Sequence, residues 1–146
     1  MSGVRKRSIH LHGLQRELRS VATVFLAGSI EMGSADNWQD KAAALLASSK
    51  WTILNPRRDD WDSSWKQDIA NEPFHEQVEW ELQGIENADW VLVYFDPTTK
   101  SPITLLELGL LAQTKPEQTL VVCPDGFWRK GNVDVVCDRY RVRQPA

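Results

Sequence analysis

Cysteine is scarce in this chain: Cys123 and Cys137 are the only two, and they lack the spacing of a metal site. Neither a disulfide framework nor a zinc fold is available, and free thiols in a reducing compartment follow. Basic charge is also short. The 17 Lys and Arg stand against 20 Asp and Glu, a net charge of -3, which leaves no electrostatic footprint for a nucleic acid polymer. No apolar run approaches the ~20 residues of a membrane span, and no secretory signal is visible. Missing too are a G-x-G-x-x-G fingerprint and a Walker lysine, which argues against dinucleotides and triphosphates. The expectation is a cytoplasmic protein with no cofactor, no metal and no membrane or nucleic acid partner.

What is present suits one domain with a proper core: 146 residues, 42% of them hydrophobic and 25% charged. Tryptophan is abundant. Trp61 and Trp65 fall in a polar stretch, where each either walls a flat aromatic pocket or serves the structure.

The organising stretch is Ser101-Pro102-Ile103-Thr104-Leu105-Leu106-Glu107-Leu108-Gly109. Ser then Pro predicts a helix start, with the Ser oxygen capping free N–H groups and Pro giving up an N–H that had no partner. Apolar residues follow on nearly every side, so the helix is expected to be buried around most of its circumference. Glu107 stands alone among them. A lone carboxylate there is costly and needs either a structural partner such as Arg or a chemical purpose. Ser101 and Thr104 share its side of the helix and are the local donors able to favour its ionised form.

Residues 1–20 form a basic extension, readable as a tail, an edge strand or an organellar presequence, ahead of a domain over 21–146. The run 21–28 (VATVFLAG) predicts a strand buried on both faces, followed by a tight loop at Gly28, Ser29 and Ile30. A helix carrying Trp38, Ala42, Leu45 and Leu46 on one face comes next, then a short strand at 51–54. The polar segment from Asn55 to Asn71 is long enough to be a functional loop, and Arg57 or Arg58 in it suits an anion or plain solvent. Residues 74–87 predict an amphipathic helix with Phe74, Val78, Leu82 and Ile85 as its apolar stripe. Glu81 sits on or beside that stripe, aimed inward or snorkelling at its edge. Strands at 88–95 and 119–123, a helix capped by Asn132, and a fifth strand at 141–143 complete the chain.

Strands alternating with helices imply a parallel sheet of about five strands with helices on both faces, in a flavodoxin-like order beginning 2-1-3. Few residues remain after Arg143, so part of one face awaits residues 1–20 or a partner. Ligands of such sheets sit at the carboxyl ends of the strands, where the loops at 28–33, 55–71 and 96–101 converge.

Three segments, FLAGSI (25–30), ELQGIENAD (81–89) and SPITLLELG (101–109), resemble the nucleoside 2-deoxyribosyltransferase superfamily, which includes nucleoside 5′-monophosphate N-glycosidases. The similarity spans roughly residues 24–116. It implies a flavodoxin-like core, cleavage of an N-glycosidic bond, and a homodimer or larger oligomer in which a neighbour helps complete each pocket. It matches Glu107 to the glutamate nucleophile and Glu81 to an aspartate handling the proton of the leaving base. Ser101 matches a second aspartate or a phosphate-binding serine, and Asn132 an asparagine that reaches a neighbour's sugar. Phe25 stands where many members carry a tyrosine that touches the catalytic glutamate.

The residue types agree with that chemistry. One carboxylate can trap the oxocarbenium-like sugar while a second protonates the departing base. The candidate catalytic pair is therefore Glu107 and Glu81. Candidate substrate contacts are Phe25, Gly28, Ser29, Ile30, Arg57, Trp61, Asp96, Ser101, Thr104 and Asn132. The expected partners are a small nucleoside or nucleotide and a free base. Three readings stay open: sugar transfer between bases, hydrolysis of deoxynucleoside 5′-monophosphates, and nucleotide binding without turnover.

Overall fold

A computed structural model describes residues 22–29, 37–46, 51–57 and 64–145. Its centre is strand β1 (Thr23–Gly28), buried at all six positions because sheet neighbours flank it and helices cover it. Around it run β2 (Thr52–Leu54), β3 (Trp90–Tyr94) and β4 (Thr119–Val122), in the order β2-β1-β3-β4. Every pairing is parallel, with Phe25 beside Leu54 on one side and Val91 on the other. The helices are α1 (Trp38–Leu46), α2 (Glu72–Asn87), α3 (Pro102–Thr114) and α4 (Lys130–Tyr140). The architecture is α/β and flavodoxin-like, as the strand–helix alternation predicts. The fifth strand shrinks to one parallel bridge, Leu120 with Arg143, where the Val121 N–H donates to the Arg143 carbonyl at 2.9 Å.

Alternation along the strands divides the core in two. Phe25, Ala27, Val91, Val93 and Val121 face α2, α3 and α4 through Ile85, Leu108, Leu111, Val133 and Cys137. Val24, Leu26 and Ile53 face the other way, onto Trp38, Ala42, Ala43 and Leu46 of α1. On this second face Leu92, Tyr94, Leu120 and Val122 are only half-buried. The expectation that residues 1–20 or a partner finishes covering one sheet face falls outside the described residues. Burial pushes both thiols up, Cys137 to about 11, so they behave as core residues.

Helix α2 is well terminated. The Asn71 side chain accepts the Phe74 N–H at 3.2 Å. At its other end the Lys115 ammonium donates to the carbonyls of Ile85 (3.1 Å), Glu86 (3.3 Å) and Ala88. A cation there answers the negative end of the helix dipole. Desolvation still lowers the Lys115 pKa, partly opposed by Asp89. The inward face of α2 also departs from the predicted stripe: Gln77, Gly84 and Ile85 are its buried residues, while Phe74, Val78 and Leu82 are half-buried.

Helix α3 departs further from expectation. It is not buried around most of its girth, for Ile103 (59%), Leu106 (64%) and Leu110 (45%) lie open to solvent. A helix laid on a sheet buries one side, and this sequence is apolar on both.

Candidate active site

The site is built on the end of β1. A Cβ on Gly28 would lie 2.4 Å from the Tyr94 carbonyl oxygen and 2.5 Å from the Trp38 ring, so only glycine lets α1 start this close to the sheet. The Trp38 indole N–H then donates to the Ser29 carbonyl at 3.2 Å, and its ring packs against Tyr94. Ser29, fully buried, donates its N–H to the Tyr94 carbonyl at 3.1 Å.

A knot of three buried hydroxyls joins this strand end to α3. Ser29 Oγ accepts the Asp96 N–H at 2.8 Å and meets Ser101 Oγ at 2.5 Å and Thr99 Oγ1 at 3.0 Å. Thr99 and Ser101 meet at 2.7 Å. Asp96 folds its own loop, with Oδ1 accepting the Thr98 N–H at 2.9 Å and hydroxyl at 2.8 Å. The expected capping role of Ser101 is therefore corrected. Its side chain makes no cap hydrogen bond; its backbone is left-handed (φ 48°, ψ 53°), and its carbonyl accepts the Leu105 N–H. That conformation costs a non-glycine residue about 1–2 kcal/mol, which the hydroxyl knot offsets.

The knot aims α3 so that Thr104 and Glu107 face inward, both buried. Among the described residues no hydrogen-bond donor reaches the Glu107 carboxyl. Burial pushes it up to about 8, and the charge of Glu81 adds to the rise. Ser101 and Thr104 do not hold Glu107 ionised, contrary to the expectation from their spacing.

Glu81 arrives from α2, half-buried, with Oε1 accepting the Gln77 amide at 3.1 Å. The same Gln77 nitrogen reaches the Pro56 carbonyl at 3.4 Å, which ties α2 to the turn after β2. Beneath Glu81, Phe25 is wholly buried. A Cβ on Gly84 would lie 2.4 Å from its ring, and Trp80 packs beside it at 6.1 Å between centroids. Phe25 therefore sets the height of α2 over β1 from within the core.

The structure thus gathers Gly28, Ser29, Asp96 and Ser101 at one end of the sheet, with Thr104 and Glu107 following on α3 and Glu81 coupled to Glu107 from α2, while Phe25 stays in the core. Arg57 stands half-buried just past β2, its N–H donated to Asn55 Oδ1 at 3.0 Å. Asn132 is not a cap: α4 begins at Lys130 after Arg129, and Asn132 lies exposed in its first turn. Ile30 and Trp61 lie outside the described residues. Among those described, no group of three or more His, Cys, Asp or Glu gathers as a metal site, and no helix is long and apolar enough to cross a membrane.

Sequence reading overlooked three features. Gln77 was legible, since i,i+4 spacing puts it against Glu81. Trp128 was not: its indole N–H donates to the Lys100 carbonyl at 2.9 Å, with Lys100 Nζ and the Arg129 guanidinium each within 4.4 Å of its ring centre. The third is a pair of buried carboxamides. Gln39 is fully buried and Asn55 is 1% exposed, and among the described residues neither amide atom of Gln39 nor the Asn55 nitrogen has a hydrogen-bond partner. Each such group costs roughly 1–3 kcal/mol if left so.

Two glutamates that repel one another, Glu107 buried and Glu81 half-buried, thus meet over a parallel α/β sheet. Over residues 21–127 the chain matches the family described as nucleoside 2-deoxyribosyltransferase like, and it belongs to that family. No curated protein matches it significantly.

Proposed function

We propose that this protein cleaves the N-glycosidic bond of a (deoxy)nucleoside and transfers the sugar to a second base. The observation that carries the reading is the buried Glu107 carboxyl coupled to Glu81 at the ligand edge of the sheet. In the first half-reaction a Glu107 oxygen bonds to the anomeric carbon. The carbon–nitrogen bond breaks, its electron pair leaves with the base, and Glu81 delivers a proton to that base. In the second, a ring nitrogen of an incoming base attacks the same carbon, Glu107 departs as carboxylate, and Glu81 recovers a proton. Water in place of the base gives hydrolysis.

The productive form has its proton on Glu81 and its charge on Glu107. Burial favours the opposite distribution in the empty site, so the two titrate as a pair. Gln77 donates to a Glu81 oxygen at 3.1 Å and holds that carboxyl in place for the proton transfer.

A second reading, hydrolysis of deoxynucleoside 5′-monophosphates, draws on Lys100 and Arg129 beside the start of α3, two exposed cations suited to a phosphate. Against it, the Ser101 hydroxyl is taken up by Ser29 and Thr99. Binding without turnover, the third reading, draws on Phe25, which offers no hydroxyl to Glu107. The open apolar row Ile103, Leu106 and Leu110 on α3 supports a homo-oligomer packed through that helix.

Incubation with each deoxynucleoside and deoxynucleotide, with and without a second base, separates these readings. Mass spectrometry after exposure to a 2′-fluoro nucleoside, which slows the second step, is expected to find the sugar on Glu107. A wild-type enzyme that turns over while Glu107→Ala retains most of its activity would place the nucleophile elsewhere.

A further inference from the structure

Helices α2 and α3 carry the two glutamates, and their C-terminal ends meet at one side chain. Lys115 closes α3, its N–H donating to the Leu111 carbonyl. Its ammonium crosses to α2 and donates to the carbonyls of Ile85, Glu86 and Ala88. Three N–H donors meet three acceptors, so the head of Lys115 is spent on the end of α2. Carbonyls at a helix end have no partner within their own helix, and here the neighbouring helix supplies one.

This clamp is anchored to the sheet on both sides. The Lys115 carbonyl accepts the hydroxyl of Thr119, the first residue of β4, at 2.8 Å. On the α2 side the chain leaves through Asp89, whose carboxylate takes the Thr23 N–H at 2.7 Å and hydroxyl at 3.2 Å where β1 begins. The Asp89 N–H donates back to Thr23 Oγ1 at 2.9 Å. Desolvation works against the Lys115 charge, and the nearby Asp89 carboxylate works for it. A cation is thus kept at the foot of both helices against a cost that water at a plain helix end would not impose. From that foot Glu81 stands about one turn along α2 from Ile85, and Glu107 about two turns along α3 from Lys115.

We infer that Lys115 is a positioning residue of the glycosyl-transfer site, holding α2 and α3 at the separation that sets Glu81 and Glu107 on either side of one glycosidic bond. This rests on the nucleoside reading above. Lys115 acts through the two glutamates, which rigid helices connect to its clamp. Their separation has a narrow tolerance. The carboxyls of a retaining pair stand ~5–5.5 Å apart, and a displacement of about 1 Å can cost ~10²-fold in rate. Lys115 does not work on the pair as a charge, for the causes of the Glu107 rise are burial and Glu81.

The test compares Lys115→Met, which keeps the stem and removes the donors, with Lys115→Arg, which keeps a cation able to reach the carbonyls. Carboxyl-carbon magnetic resonance of the free protein reads the Glu107 titration midpoint. Single-turnover and steady-state base release read the rate on a deoxynucleoside that the wild type cleaves. In Lys115→Met the freed carbonyls turn to water and the end of α2 moves out, drawing Glu81 from Glu107. The Glu107 midpoint is expected to fall by about half a pH unit or more. The kcat is expected to drop ~10–10²-fold, with KM changed less than about threefold. Lys115→Arg should recover most of both. The sign discriminates, since loss of a cation by itself raises a carboxyl's midpoint. A folded Lys115→Met with an unchanged or higher Glu107 midpoint would overturn the inference and leave Lys115 a helix cap. Should Lys115→Met fail to fold, Lys115→Gln, with a neutral amide in place of the ammonium, decides by the same sign. A wild type that cleaves no nucleoside overturns the nucleoside reading, and the midpoint still shows whether Lys115 sets the glutamate pair.

Discussion

Helices α2 and α3 each bring one glutamate to the same crevice, yet they are built on opposite plans. Helix α2 is amphipathic, capped by Asn71 at one end and by Lys115 at the other, with Glu81 half-buried and held by Gln77. Helix α3 is apolar on both sides and lacks a side-chain cap, and a left-handed Ser101 starts it. Its Glu107 is buried without a donor among the described residues. One residue type thus meets two environments, and the environments decide which carboxyl keeps a proton. Water and an amide can solvate the charge on Glu81. Nothing comparable reaches Glu107, whose carboxyl rises to about 8.

The largest expected effect breaks the pair at α3. Glu107→Ala should lower both transfer and hydrolysis by more than ~10³-fold, since it removes the trap and the charge facing the sugar cation. Single-turnover assays with natural nucleoside measure this. Breaking the pair at α2 should cost less: Glu81→Gln is expected to slow base departure by ~10²–10⁴-fold while substrate still binds. The loss should shrink for nucleosides whose base leaves readily, a trend that rate comparison across a leaving-group series would reveal.

The third effect concerns stability and sharpens the contrast in protonation. In the folded chain burial and the charge of Glu81 push the Glu107 carboxyl from its ordinary 4.5 up to about 8. For a carboxyl raised in this way, its contribution to stability is full below about pH 4.5 and declines as pH rises to about 8. Above that the loss is constant. Relative to Glu107→Gln, the wild type should therefore lose on the order of 2–4 kcal/mol between pH 5 and pH 9. Urea midpoints at the two pH values test it, and equal losses in both proteins would contradict an unpartnered buried carboxyl.

Two smaller effects act through α2. In Gly84→Ala the new methyl meets the Phe25 ring, at a cost of ~1–3 kcal/mol in thermal denaturation and a displaced Glu81. Gln77→Met keeps the bulk and removes the donor, a loss of about 1 kcal/mol or less. It should also slow base departure by freeing the Glu81 side chain, and a fall in stability with an unchanged single-turnover rate would reduce Gln77 to a packing role.

Much of the fold was legible because parallel-sheet strands announce themselves as continuous apolar runs. VATVFLAG could be little else than a central strand, and alternation with helices dictated the order of the first three strands. The last strand was less readable, since Arg141 to Arg143 hold a single apolar residue and form only a bridge. Two caps misled for different reasons: α4 simply begins two residues before Asn132, whereas a hydroxyl such as that of Ser101 takes the best partner that tertiary packing offers. Ser29 and Thr99, distant or non-helical in sequence, outbid the helix for Ser101.

By itself, then, the sequence determined the four strands, the helices of the sheet and a glutamate set among the apolar residues of α3, because periodicity is a property of local pattern. Tertiary structure alone decided the rest. It set Phe25 beneath Gly84, which a ring and a missing Cβ from strands and helices far apart in the chain make possible. It turned Ser101 into a left-handed residue held by two other hydroxyls. It left the Gln39 amide buried and unanswered, and it gave Glu107 its elevated pKa. Desolvation and pairing depend on what the folded chain brings near a group, and no stretch of sequence contains its own surroundings.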